Sequence, residues 1–144
     1  MKRRSTAIWQ GNGAEGKGTL TSTSGVLNKT PYSSALRFKN EDGLAGTNPE
    51  ELIAAAHSGC YAMALSFALT GAGFVPTELK VEATVNIELM TDHWEITGIQ
   101  LNLTGMVPGI TAEKFLELAS AAKATCPVSR ALKAVEITLS AKLA

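Results

Sequence analysis

The chain has no surplus of either charge: 13 lysines and arginines face 13 aspartates and glutamates, for a net charge of +0 at neutral pH. Nucleic acids and anionic membrane surfaces are bound largely through a basic excess, so neither is expected as the main partner. Cysteine is scarce, with 2 in 144 residues and no C-x-x-C spacing, which removes the thioredoxin motif and the zinc ribbon. Two such cysteines in a reducing compartment are free thiols rather than a structural staple. Met1-Lys2-Arg3-Arg4-Ser5 opens like a secretory leader, but Gln10, Gly11, Asn12 and Gly13 interrupt the apolar run that must follow; the cytoplasm is the expected location. Repeats, low-complexity tracts and linkers are also missing, so residues 1–144 are expected to form one domain, or one unit of an intimate dimer. Hydrophobic residues make up 45%, enough for a packed core.

What is present in quantity is one long apolar stretch. Leu52 to Ala72 is interrupted only by His57, Ser58, Cys60, Ser66 and Thr70. Its length suits a membrane span, but five polar or thiol groups inside it and no basic anchor at Glu50 and Glu51 predict a buried helix of a soluble protein. Asn48 is a good N-cap, Pro49 suits the first helical position, and Glu50 and Glu51 suit the positive end of the helix dipole. Apolar residues run all the way round, so this helix is expected to be central and buried, ending near Gly71 to Gly73.

The flanking segments read as strands and shorter helices. Thr19 to Ser24 is rich in threonine and serine, and Leu36 and Phe38 alternate with Arg37 and Lys39 as on a half-buried strand. Leu79 to Leu89 alternates apolar with polar throughout. Trp94 and Ile96 start another strand, which Ile99, Leu101 and Leu103 continue in the opposite phase, predicting a bulge at Gly98. A helix opens at Thr111, with Ile110 and Phe115 placed as a hydrophobic staple. It must break before Pro127, because a residue preceding proline avoids the α region. A short helical piece and a last strand over Val135 to Leu143 follow. The fold class predicted is α+β, with antiparallel sheets packed around the central helix.

The two thiols sit in unlike places. Cys60 lies within the apolar helix, where a cysteine is commonly a small core hydrophobe and burial raises its pKa. To act as a nucleophile it needs a cation brought from elsewhere. His57, one turn earlier, is the nearest candidate in sequence. The same pair, His57 and Cys60, could be two metal ligands, but the other histidine, His93, stands on a different element and no carboxylate cluster completes a site; no metal or cofactor is expected. Cys126 precedes Pro127 and so occupies the N-cap of the short helix, where unpaired N–H groups favour a thiolate. A shielded attacking sulfur and an adaptable resolving one are one division of labour; two inert residues are the other.

Asn48-Pro49-Glu50-Glu51-Leu52, Ala55-Ala56-His57-Ser58-Gly59-Cys60 and Cys126-Pro127-Val128-Ser129 resemble the OsmC/Ohr family of bacterial osmotically inducible and organic-hydroperoxide-resistance proteins. Gly16-Lys17-Gly18-Thr19, Ser24-Gly25-Val26-Leu27-Asn28 and Val107-Pro108-Gly109-Ile110 are similar to the OsmC branch, and the likeness covers nearly the whole chain. The resemblance implies an intertwined α+β homodimer with its active sites at the subunit interface. It implies a stress-defence peroxidase that reduces organic hydroperoxides, and hydrogen peroxide more weakly, through a cysteine sulfenate and an intramolecular disulfide. In those terms Cys60 is the peroxidatic thiol, Cys126 the resolving thiol, Arg37 the active-site arginine and Glu50 the carboxylate that orients it. His57 takes a packing or supporting role. A dithiol such as a lipoyl group on a carrier protein is the implied reductant. Two other classes compete: a binding or structural protein of the same fold, and a cysteine hydrolase, which needs a base oriented on Cys60.

Overall fold

The structure, a computed structural model, describes residues 1–40 and 43–144. It divides into two compact units, Met1–Leu52 and Ile53–Ala144.

The first unit is built on an antiparallel sheet of β1 (Ser5–Gln10), β2 (Lys17–Ser22) and β3 (Thr30–Ser33), in that order. Asn12 shapes the β1–β2 turn by accepting hydrogen bonds from the Ala14 and Glu15 N–H groups at 3.0 and 2.8 Å, an Asx turn. Trp9 on β1 and Tyr32 on β3 both pair with Gly18 on the strand between them. A side chain at Gly18 would collide with the Tyr32 ring. The glycine thus lets the two aromatic rings meet over it at 5.4 Å.

Helix α1 (Ser34–Phe38) follows. This corrects the strand expected around Arg37. The Ser33 hydroxyl accepts from the Leu36 N–H at 3.1 Å and caps a helix of five residues. Over so short a span, alternating polarity fits one helical turn as well as a strand, and the cap decides.

Helix α2 (Pro49–Gly71) begins as its sequence dictates, with Asn48 Oδ1 accepting from the Glu51 N–H at 2.8 Å. The Gly73 N–H to Thr70 and Phe74 N–H to Leu69 bonds close its far end. By length and mean hydropathy of 1.5, α2 also meets the minimum for a membrane span. Its burial is one-sided. His57, Tyr61, Leu65 and Leu69 are fully buried, whereas Met63 and Phe67 are 63% and 73% exposed. The expectation of a helix buried all round is corrected here: a single chain covers one face of α2 and leaves an apolar face open.

In the second unit β4 (Glu78–Leu89) and β5 (Trp94–Met106) pair antiparallel, with Asn86 opposite Gly98 and Ile87 opposite Ile96. Thr97 is the extra residue of the bulge expected here. Then come α3 (Ala112–Thr125), α4 (Pro127–Ala131) and β6 (Ile137–Leu143). Strand β6 runs parallel to β5, so the second sheet is mixed rather than antiparallel. The α3–α4 crossover returns the chain to the end of the sheet from which β5 departs, which parallel pairing requires. The α+β class holds.

Tyr61, Leu65 and Leu69 of α2 pack with Leu101, Leu103, Val107, Phe115, Ala119, Ala122 and Cys126 in one core. The Phe115 ring lies so close over Gly105 that a Cβ there would fall within 2.4 Å of it. Gly105→Ala is therefore expected to lower stability by about 1–3 kcal/mol, the cost of overfilling a packed core. Urea denaturation followed by circular dichroism measures it.

Candidate active site

Cys60 and Cys126 are both free thiols, and their sulfurs lie 3.2 Å apart. Helix α2 carries the first into the core, and the proline break delivers the second. Cys126 ends α3, where its N–H donates to Ala122 at 2.9 Å, and it is also the N-cap of α4, with Pro127 in the first turn. Cys126 is fully buried, while Cys60 keeps partial exposure. The sequence suggested the reverse, a shielded Cys60; the open face of α2 is the reason.

The two thiols differ in acidity. Burial pushes Cys126 up, but donors outweigh it: the Ser129 N–H, the Cys60 thiol, the Ser129 hydroxyl and the Val128 N–H together hold it below the ordinary thiol value. Cys60 is pushed up, first by burial and then by its anionic neighbour Cys126, with the Val128 N–H opposing. Either sulfur could donate across 3.2 Å. The donors gathered on Cys126 favour Cys60 as the one that keeps the shared proton.

His57 and Ser129, both buried, meet at 2.8 Å between Nε2 and the hydroxyl. His57 Nδ1 is buried without a hydrogen-bond partner among the described residues. Burial lowers the His57 pKa, so the ring is neutral at physiological pH. Ser129 belongs to the Cys126-Pro127-Val128-Ser129 motif, which by itself gives the serine no role. Its position in the first turn of α4, three residues past Cys126, was the available signal. His93 is exposed and paired with Asp92 and Glu95. Above α4 lies an open groove of about 760 Å³, lined by Lys123, Arg130 and Lys133 along with Pro127 and Ser129.

Within the first unit, Arg37 and Glu50 form a bidentate pair, with Nε to Oε2 at 3.0 Å and the terminal guanidinium nitrogen to Oε1 at 2.5 Å. Glu50 stands buried in the first turn of α2, where the helix dipole suits a carboxylate. The Arg37 guanidinium also lies 4.8 Å over the Phe38 ring. Trp9, Tyr32, Phe38, Arg37 and Pro49 line a small cavity of about 130 Å³. The aromatic walls had no sequence signal, because Trp9 and Tyr32 meet only through the register at Gly18. The four expected site residues thus gather as two pairs, the thiols in the second unit and the ion pair in the first.

Residues 40–140 match the family described as OsmC-like protein, and the chain belongs to it. It is 47% identical over 143 residues to Peroxiredoxin OsmC of Escherichia coli (strain K12), covering 99% of this chain and 97% of that protein. It is 30% identical over 128 residues to Organic hydroperoxide resistance protein OhrB of Bacillus subtilis (strain 168), covering 87% and 89%. The crystal structure of Bacillus subtilis OhrB aligns with a TM-score of 0.70 at 26% identity, covering 98% of each chain.

The buried neutral His57 ties stability to pH. Its pKa is lowered in the folded protein, whereas unfolded it titrates near about 6.5. Its contribution is fully present above that value. As pH falls below it, the unfolded chain takes up a proton that the folded chain refuses, and stability drops until the folded pKa is passed. The slope reaches at most about 1.4 kcal/mol per pH unit. Urea unfolding at pH 7 and pH 5 should show a smaller loss for His57→Gln than for wild type.

Proposed function

We propose that this chain is a thiol peroxidase that reduces organic hydroperoxides with Cys60 and Cys126, in a bacterial defence against oxidative and osmotic stress. The observation that carries this is the pair of free sulfurs at 3.2 Å, one partly exposed and one fully buried. The names of two relatives, Peroxiredoxin OsmC and Organic hydroperoxide resistance protein OhrB, support it. In the reaction, the Cys60 thiolate attacks the terminal peroxide oxygen, the O–O bond breaks, and the leaving alkoxide takes a proton to become an alcohol. Cys126 then attacks the Cys60 sulfenic acid, forming the disulfide and releasing water. A dithiol reductant, of lipoyl type in our proposal, supplies two electrons and two protons to restore both thiols. Acidity alone would choose Cys126 as first nucleophile, but full burial keeps a hydroperoxide from it. Access therefore assigns the first step to Cys60.

A part-buried Cys60 then needs a cation, and the Arg37–Glu50 pair is our candidate. The guanidinium stabilises the thiolate and hydrogen-bonds the peroxide, and Glu50 holds it in place. Glu50 and Cys60 stand ten residues apart on α2, about 15 Å of helix rise, whereas a charge shifts a pKa strongly only within about 4–6 Å. We therefore take Arg37 to serve the Cys60 of a second copy, in a homodimer that also covers the open Met63–Phe67 face of α2. The aromatic cavity beside Arg37 favours a hydroperoxide with an organic tail over hydrogen peroxide. Residues 1–144 act as one catalytic domain of a cytoplasmic protein. A cysteine hydrolase is less well supported, because His57 Nε2 is committed to Ser129 and His93 is exposed.

One equivalent of an organic hydroperoxide should convert both thiols into a Cys60–Cys126 bond within a single chain, as read by peptide mapping. In Cys126→Ser the sulfenate has no partner and should proceed to sulfinic acid. Intermolecular bridges alone, or no loss of thiols, would refute the scheme.

Arg37→Met removes charge and donors while keeping much of the volume. Peroxidase rate at neutral pH should fall at least about tenfold, the equivalent of one pKa unit of lost thiolate stabilisation, and Glu50→Gln should do the same more mildly. Chains of Arg37→Met and Cys60→Ser refolded together should regain activity, since the mixed dimer holds one complete site. Absence of both effects would mean that another cation activates Cys60.

A further inference from the structure

His57 and Ser129 are 72 residues apart in sequence, yet meet at 2.8 Å in the core, and neither has a part in the chemistry above. Ser129 also stands in the first turn of α4, three residues past its N-cap Cys126, and its hydroxyl is one of the groups that lower the Cys126 pKa. A hydroxyl has one hydrogen, so it cannot donate both to His57 and to Cys126.

Counting donors settles the direction. A neutral imidazole also carries one hydrogen. If it sits on Nδ1, the Ser129 hydroxyl must donate to Nε2, Cys126 loses that donor, and the Nδ1–H is left buried with no acceptor. One hydrogen bond forms and one buried donor is orphaned. If it sits on Nε2, His57 donates to the Ser129 oxygen, and the hydroxyl hydrogen is free for the sulfur. Two hydrogen bonds form, and only a lone pair on Nδ1 goes unmet. The second arrangement wins by a whole bond, and that bond is strongest when Cys126 is a thiolate.

We propose that His57 is a positioning residue that acts through Ser129, its Nε2–H fixing the serine hydroxyl on Cys126 so that this sulfur is held ready to close the disulfide and, on reduction, to leave. This rests on the disulfide chemistry proposed above. In the closing step the Cys126 thiolate attacks the Cys60 sulfur, the S–O bond breaks, and the departing hydroxide takes a proton to become water. In reduction a dithiol attacks the exposed sulfur, Cys60. The S–S electron pair moves to Cys126, where the Ser129 hydroxyl and the α4 N–H groups receive the charge. The second thiol of the reductant then displaces Cys60 from the mixed disulfide. The better-stabilised thiolate leaves faster, so one oriented hydroxyl serves both halves of the cycle.

The test compares reduced wild type with His57→Leu, His57→Gln, Ser129→Ala and the His57→Leu/Ser129→Ala double variant. Each receives one equivalent of tert-butyl hydroperoxide in the presence of dimedone, and mass spectrometry reads how Cys60 partitions between the dimedone adduct and the disulfide. Opening of the preformed disulfide by dithiothreitol is timed separately. His57→Leu and Ser129→Ala should each slow closing and opening by roughly tenfold, the scale of one hydrogen bond to a charged group. Glutamine keeps an N–H donor in about the Nε2 position, so His57→Gln should recover most of the rate, which a purely packing role would not allow. The double variant should be no slower than Ser129→Ala alone. If His57→Leu does not fold, Ser129→Ala and His57→Gln still decide. The inference is overturned if wild type forms the disulfide and Ser129→Ala closes and opens as fast. It is equally overturned if folded His57→Gln is as slow as His57→Leu, or if the two single effects add. Wild type that yields neither adduct nor disulfide overturns the peroxidase scheme, and this inference with it.

Discussion

One missing N–H determines where the second sulfur sits. Pro127 cannot donate to α3, and its ring drives the preceding residue out of the helical region, to φ −55° and ψ 122° at Cys126. Helix α3 ends there and α4 starts one residue later, so Cys126 closes one helix and caps the next. The N–H groups of Val128 and Ser129 stand in the first turn of the new helix, where any helix leaves its donors without a carbonyl, and they lower the Cys126 pKa. Replace the proline with a residue that continues the helix, and the thiol would rotate away from the donors that favour its anion.

The site also separates two properties that a reactive cysteine usually combines. Exposure belongs to Cys60 and acidity to Cys126. A single thiol that was both would be open to oxidants of every kind. With the properties divided, the accessible sulfur would need a cation to hold a charge, and the acidic sulfur is buried in the core that includes Phe115, Ala119 and Ala122 of α3. The Arg37–Glu50 pair follows the same logic: its carboxylate is buried and its guanidinium keeps about a third of its side chain exposed, so the carboxylate acts as the anchor and the arginine faces outward.

Much of this was legible in the residues themselves. The Asn48 cap, the phase slip at Gly98, the helix start at Thr111 and the break at Pro127 are all local, and each stands where the chain implied. What escaped was non-local or too short to carry a period. The helix bearing Arg37 is one turn long, and a serine cap outweighed its alternating polarity. The direction of β6 depends on where a crossover of two helices lands. The open face of α2 could not be read from α2, because its apolar ring says what must be covered and not by which chain. The bond between His57 and Ser129 joins residues that no spacing rule connects.

The separation of 66 positions between the two cysteines adds a consequence of another kind. In the unfolded chain, bringing those ends together costs entropy that a cross-link would abolish, by about 4 kcal/mol for a loop of that length. Folding has already brought the sulfurs to 3.2 Å, so in the native state the bond closes almost free of that cost. By the same cycle, the oxidised chain has fewer unfolded states to escape into than the reduced one. Under the disulfide chemistry proposed above, the redox state of the pair would also set the protein's lifetime: the molecule would be hardest to unfold once oxidised and most open to turnover when reduced.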